Sequence, residues 1–167
     1  MAKDSHCSFC GNRFELDATW PRRCSACGNK TYRNPLPVAV VLLPMAGGVV
    51  VIRRNTEPRK GTLTLPGGYI DFGETWQEAA KRELFEETGI EIDKSGLTLY
   101  EVQNGLDNTL VIIGLAPDIP LSRLMPFASE ETQEVTLICG PVELGFPLHT
   151  QVVKRFFAEK EKHKKGG

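Results

Sequence analysis

Two sets of side chains in this sequence have the types and spacing that chemistry requires. The first is sulfur. Cys7, Cys10, Cys24 and Cys27 form two Cys-x-x-Cys pairs separated by thirteen residues, the two-knuckle spacing of a structural four-cysteine zinc site. Each short knuckle offers two thiolates to one tetrahedral ion. Gly11 and Gly28 follow the second cysteine of each pair, where a tight turn can aim backbone N–H groups at the sulfurs. Four thiolates fill the coordination sphere, so zinc here would be structural and leave no open position for catalysis. Redox or disulfide cysteines are the alternative, and two matched pairs argue against it. A segment this short, with few apolar residues, would owe its folding energy to the metal. Cys139 lies in a separate apolar stretch and reads as a core residue.

The second set is a group of carboxylates on one helix. Thr75 and Glu78 form a capping box and Gly89 supplies a left-handed stop, so the pattern predicts a helix over Trp76 to Thr88. With about 100° per residue and Trp76 as zero, Ala80 falls near about 40°, Leu84 near about 80° and Ala79 near about 300°. Those three define the buried stripe. On the same scale Glu87 falls near about 20°, Glu83 near about 340° and Glu86 near about 280°. The acids therefore sit on or beside the apolar stripe, while Lys81 and Phe85 take the opposite face. A solvated acidic face does not have this phase. Glu83 and Glu87 also stand four residues apart, where like charges weaken a helix by a few tenths of a kcal/mol. A divalent cation removes the conflict, and clustered carboxylates with room for water suit Mg²⁺. Arg82, beside Glu83 and four residues before Glu86, can fix carboxylate orientation. The break at Pro66-Gly67-Gly68 brings bare backbone near the helix start and can add a carbonyl ligand. Spacing alone points to a divalent-metal site acting on an anionic substrate.

The elements that must hold these groups are legible in outline. The chain has 167 residues, 41% hydrophobic and 25% charged, which excludes disorder, collagen and coiled coil for the whole. The net charge of -1 conceals an uneven division: residues 1–34 carry +3, residues 35–153 carry -8 and residues 154–167 carry +4. An acidic body is not a nucleic-acid surface, so nucleic acid is not expected as a partner. No signal-peptide run or membrane-length apolar stretch is present, and leaderless cysteine pairs point to the cytoplasm. Val38–Leu43 reads as a buried strand and Val49–Ile52 as its hairpin partner across Gly47-Gly48. A short strand is expected at Leu63–Leu65, with later strands near Leu97–Val102, Leu110–Leu115 and Val135–Leu137. Helical spacing returns at Gln151–Lys162. Strands and helices do not alternate strictly, so a mixed sheet with helices on its faces is expected. The boundaries expected are a zinc ribbon at 1–34, a catalytic domain at 35–162 and a basic disordered tail at 163–167, whose lysines read as a solvated helix end.

The segment also resembles the signature of the Nudix hydrolases: Gly, five residues, Glu, seven residues, then Arg-Glu-aliphatic-any-Glu-Glu-any-Gly-aliphatic. Here these are Gly68, Glu74, Arg82, Glu83, Leu84, Glu86, Glu87, Gly89 and Ile90. A preceding zinc ribbon is similar to the NADH pyrophosphatase branch and its shorter relatives. The resemblance implies an α/β/α sandwich that hydrolyses a diphosphate linked to a second group, with Mg²⁺ or Mn²⁺. It implies metal ligation by Glu83, Glu86, Glu87 and the Gly68 carbonyl, with Glu74 and Arg82 supporting the loop and helix. Glu83, Glu86 and Arg82 would then belong to the catalytic machinery. Relatives often place a further carboxylate before a later strand; Glu131 and Glu134 stand there, and Glu134 is the residue expected as extra ligand or base. Family members are frequently homodimers.

The Ser-Gln-Pro-Trp motif that NADH pyrophosphatases carry after this segment is absent, and the tryptophans are Trp20 and Trp76. The substrate expected is a small-molecule nucleotide, with ADP-ribose or FAD as good a fit as NADH. Tyr69, Phe72 or Tyr100 could stack on its base. A nucleoside triphosphate sanitising enzyme or an RNA cap hydrolase is the enzymatic alternative. A nucleotide-sensing RNA-binding module, using the ribbon and the Lys-rich end, is the non-enzymatic one.

Overall fold

The run Val38-Ala39-Val40-Val41-Leu42-Leu43 lacks polar alternation because it is buried on both sides. The computed structural model describes residues 4–15 and 19–165, which fall into two compact units, Met1–Pro35 and Leu36–Gly167. In the first, β1 (Arg22–Arg23) pairs antiparallel with β2 (Lys30–Thr31). The second contains β3 (Leu36–Leu42), β4 (Pro44–Met45), β5 (Gly48–Arg54), β6 (Leu63–Thr64), β7 (Gly67–Tyr69), α1 (Trp76–Thr88), β8 (Thr98–Asn104), β9 (Thr109–Leu115), β10 (Thr132–Ile138) and α2 (Pro147–Lys165).

These strands make two sheets. One has the order β7-β3-β9-β8 and is mixed, since β3 and β9 run parallel; in the other, β5 is flanked by β10 on one side and by β4 and β6 on the other. Successive residues of β3 point to opposite faces. Ala39 and Val41 pack with Ala79, Ala80 and Leu84 of α1, whereas Val40 and Leu42 pack with Val152, Val153 and Phe157 of α2. Helix, sheets and helix form the three layers of the α/β/α sandwich, and each apolar face of the strands has its own helix. Among the described residues no helix is long and apolar enough to cross a membrane.

The expected hairpin between Val38–Leu43 and Val49–Ile52 does not form. The partner of β5 at this turn is the two-residue β4, with Pro44 opposite Val49 and Met45 opposite Gly48. β3 instead joins the other sheet. The break expected at Pro66-Gly67-Gly68 is a change of sheet: Gly67 and Gly68 lie in β7, antiparallel to Val40 and Ala39. Bare glycine backbone lets this strand approach β3 closely: a Cβ at Gly67 would overlap the Ala39 carbonyl. Cys139, read as core, is exposed at the end of β10. α2 continues to Lys165, into the segment read as a tail, and residues 166 and 167 lie outside the described residues.

Candidate functional site

The two cysteine knuckles are near copies of each other. Gly11 N–H donates to the Cys7 carbonyl at 3.0 Å and Gly28 N–H to the Cys24 carbonyl at 2.9 Å. Both glycines have left-handed φ, 74° and 75°, so the turn after each knuckle takes a conformation that side chains resist. Sulfurs of Cys7 and Cys27 lie 3.7 Å apart and those of Cys10 and Cys24 3.6 Å apart. Tetrahedral Zn–S bonds would set neighbouring sulfurs at about 3.8 Å, so the spacing fits the ion. The Phe9 N–H, against the effect of burial, brings the Cys7 thiol down to about 6. The Asn12 N–H favours the Cys10 thiolate, but the sulfurs of Cys27 and Cys24 outweigh it and push Cys10 up to about 12. Four sulfurs in contact cannot all ionise without a cation among them. Around them the ribbon's small core sets Phe14 edge-on to Trp20, with the Arg22 guanidinium 4.6 Å from the Trp20 ring.

The helix that carries the acids is fixed at both ends. Thr75 Oγ1 accepts from the Glu78 N–H while the Glu78 carboxylate accepts from the Thr75 N–H, and Gly89 closes the helix at φ 69°. Phase then follows from sequence. Glu87 is buried, 2% exposed, beside Ala80 and Leu84. The Glu83 side chain is 13% exposed and that of Glu86 is 56% exposed, as their angles on the helix require.

Arg82 organises the group. Its Nε and Nη2 grip the two oxygens of Glu74 at 2.8 and 2.9 Å, a bidentate fork. Nη2 also donates to the Tyr69 carbonyl at 3.0 Å, and Nη1 donates to Glu83 at 2.8 Å and to Glu86 at 3.2 Å. The guanidinium and the Asp71 N–H hold Glu74 at about 2. Glu83 and Glu87 move the other way. Burial raises Glu83 despite the Arg82 hydrogen bond, with Glu86 and Glu131 adding to the rise. Burial pushes Glu87 up to about 8, against the 2.8 Å hydrogen bond from the Gly67 N–H. A Cβ on Gly68 would lie 2.5 Å from the Glu83 carboxylate, so a side chain there would displace that carboxylate.

These donors fit a hard divalent cation. They are all oxygens, two of them belong to desolvated carboxylates, and the charge they carry is incompletely neutralised by Arg82. They are not gathered as the sulfurs are: among the described residues, the four cysteines are the group whose ligand atoms all lie within 4.8 Å of one another. The carboxylates are held instead by Arg82 and the Gly67 N–H.

Glu134, the acid expected as extra ligand or base, pairs with Arg53 at 2.7 Å and its side chain is 52% exposed. Glu131 is the acid whose charge raises both Glu83 and Glu87. The ladder slips between Thr132 and Glu134 where β10 joins β5. Arg54 also bears on the site without a motif to mark it: its charge lowers Glu87, and it lies 5.6 Å from the Phe146 ring. A basic pair closing an apolar strand was the available signal. Tyr69 and Phe72 are exposed beside the site, whereas Tyr100 donates to Glu159 and accepts from Arg155.

Residues 33–158 match the model of the NUDIX domain. The NAD-capped RNA hydrolase NudC of Citrobacter koseri is 31% identical over 87 residues, 52% of this chain and 34% of that protein. Its counterpart in Escherichia coli K12 is 30% identical over 88 residues, with the same shares. The chain thus covers 34% of the length of these curated relatives. Among solved structures, a NUDIX hydrolase from Nitrosomonas europaea superposes with a TM-score of 0.73 at 21% identity, covering 95% of this chain and 93% of that one. A bifunctional NMN adenylyltransferase/ADP ribose pyrophosphatase from Francisella tularensis, complexed with AMP and a manganese ion, gives 0.64 at 22% identity, over 77% and 42%.

Proposed function

The chain belongs to the Nudix family, and from that premise we propose that it is a divalent-metal-dependent pyrophosphohydrolase. Its substrate is a nucleoside diphosphate joined to a second group, of the NADH, ADP-ribose or FAD kind. One observation carries the reading: the Arg82 fork to Glu74 leaves two desolvated carboxylates, Glu83 and Glu87, against the Gly67-Gly68 backbone. In this assignment Glu83, Glu86, Glu87 and the Gly68 carbonyl would hold Mg²⁺ or Mn²⁺, and Cys7, Cys10, Cys24 and Cys27 would hold a structural Zn²⁺. The domains assigned are the ribbon at 1–34 and the hydrolase domain at 35–162. When bound, the catalytic metal supplies positive charge for the diphosphate oxygens and acidifies water.

The chain's own groups do the rest. Arg82 fixes the carboxylates of Glu83 and Glu86 so that they need not reorganise during reaction. Glu74 keeps Arg82 charged and in place. A water attacks phosphorus in line, and a carboxylate at the start of β10 accepts its proton. Glu134, paired with Arg53, is the acid assigned there, and Glu131, whose charge bears on Glu83 and Glu87, is the other candidate.

A second reading is favoured by the names of the curated relatives, which act on NAD-capped RNA. The diphosphate chemistry would be unchanged and the second group would be an RNA. The test is a Mg²⁺-dependent hydrolysis screen over NADH, NAD, FAD, ADP-ribose, dinucleoside polyphosphates, nucleoside triphosphates and NAD-capped RNA. Two monophosphates from a dinucleotide are expected. Pyrophosphate from a triphosphate would instead mark a sanitising enzyme, and salt-sensitive RNA binding without hydrolysis would mark a binding module. Glu86→Gln is expected to lower turnover by about 10³-fold, roughly 4 kcal/mol of barrier, with an unchanged melting temperature. Near-normal turnover sinks the assignment.

A further inference from the structure

Between β6 and β7 the backbone leaves one sheet and enters the other, and Leu65 and Pro66 are the residues that make the crossing. Buried backbone groups outside a ladder must find other partners. Pro66 has no N–H, and its carbonyl accepts from the Val41 N–H at 2.9 Å. Leu65 is 2% exposed, so its N–H is the group that demands an acceptor. It donates to Nδ1 of His149, in the first turn of α2, at 3.2 Å.

That hydrogen bond assigns the tautomer: an imidazole that accepts at Nδ1 is neutral and carries its proton on Nε2. His149 is itself buried, with its ring edge-on to Phe146 at 5.1 Å between centroids. Burial, with the charge of Arg54, brings its pKa down to about 4, which keeps the ring neutral. Just beyond the crossing stand the two groups that meet the acids. Gly67 donates to Glu87 at 2.8 Å, and Gly68 lies directly against the Glu83 carboxylate. Only Pro66, rigid in φ, separates the tethered Leu65 from Gly67.

We propose that His149 is a positioning residue for the carboxylate site: its neutral imidazole anchors the Leu65-Pro66 crossing and thereby sets the Gly67 N–H against Glu87 and the Gly68 backbone against Glu83. His149 touches no substrate and acts through the backbone. The inference rests on the hydrolase reading, since it concerns the metal site that reading assigns.

The test uses the full chain and Mn²⁺ alone, with free ion followed by electron paramagnetic resonance and folding by thermal melting. His149→Asn keeps an acceptor near Nδ1, and His149→Phe keeps bulk without one. His149→Phe is expected to need about tenfold more Mn²⁺ for half-saturation, the loss typical when a group supporting the ligands is removed. His149→Asn is expected to stay within about twofold of wild type. Should His149→Phe fail to fold, His149→Gln, whose amide reaches past the Nδ1 position, takes its place with the same expected loss. Wild-type Mn²⁺ affinity in the variant lacking the acceptor, with only its melting temperature lowered, overturns the inference. An Asn variant as impaired as the Phe variant overturns it as well. A wild-type chain that binds no Mn²⁺ removes the hydrolase reading and this inference together, whereas wild-type binding with an unaffected Phe variant removes the inference alone.

Discussion

The sulfur cluster of the ribbon and the carboxylate cluster of α1, the two cation sites proposed above, are built by opposite means. In the ribbon, backbone turns bring all four ligand atoms within 4.8 Å of one another, so the site is closed and the unit has little core besides it. On α1, the carboxylates are held by protein groups: Arg82 bridges Glu83 and Glu86, and the Gly67 N–H donates to Glu87. The sandwich behind them is already packed on both faces. A closed site serves folding, while an open, cross-braced one leaves coordination positions for substrate and water. The difference lies in what else each unit has to hold it together.

The largest effect that would break this comparison is in the ribbon. Stripping zinc is expected to unfold residues 1–34, since structural zinc contributes about 10–16 kcal/mol of apparent binding energy in comparable peptides. A ribbon that melts identically with and without chelator would show that it does not depend on the metal. The carboxylate unit should survive metal removal, with a pH dependence of opposite sign to the ribbon's. Glu87 holds its proton more tightly folded, at about 8, than at the ordinary value of 4.5. The folded state therefore binds more protons, and metal-free stability falls as pH rises through that window, by about 5 kcal/mol at most. His149 works the other way: folded at about 4 against an ordinary 6.5, it costs stability as pH falls from 6.5. Above pH 6.5 His149 is neutral in both states, so denaturant titrations between pH 6.5 and 8 separate the contribution of Glu87 from that of His149. A metal-free stability that rises over that range contradicts the desolvation argument. The zinc-loaded ribbon, whose thiolates must stay deprotonated, should lose its metal as pH falls. The smallest effect concerns the helix end. Thr75→Ala is expected to cost about 1 kcal/mol of stability in chemical denaturation, and a loss several times larger would mean that Thr75 holds more than the cap.

Local features were legible in the sequence and long-range pairings were not. The capping box, the Gly89 stop and the burial of Glu83 and Glu87 all follow from spacing within one helix, as do the glycine turns after each knuckle. The partner of β3 did not follow, because Val38–Leu43 and Val49–Ile52 are equally apolar and nothing in them says that Pro44-Met45 will intervene. Gly67 and Gly68 carry no side chain to mark them as a strand; their strand character comes from β3 alongside. Glu131 and Glu134 are the same residue type three positions apart, and nothing local marks Glu134 as the one that pairs with Arg53. His149 sits in an amphipathic pattern that would accept any core residue, so its hydrogen bond to a crossing backbone could be found only in three dimensions.

The double capping of α1 makes its 13 residues a ruler with both ends fixed. Substitutions along it change one side chain at a time. An insertion between Trp76 and Glu83 is different, because each added residue turns everything beyond it by about 100°. With the Thr75 and Gly89 ends held, Glu87 would leave its place beneath Gly67 and a neighbour would be buried there instead. Length variation among functional relatives should therefore be confined to stretches outside 68–90, such as the loop between β5 and β6, however freely individual residues within the helix are exchanged.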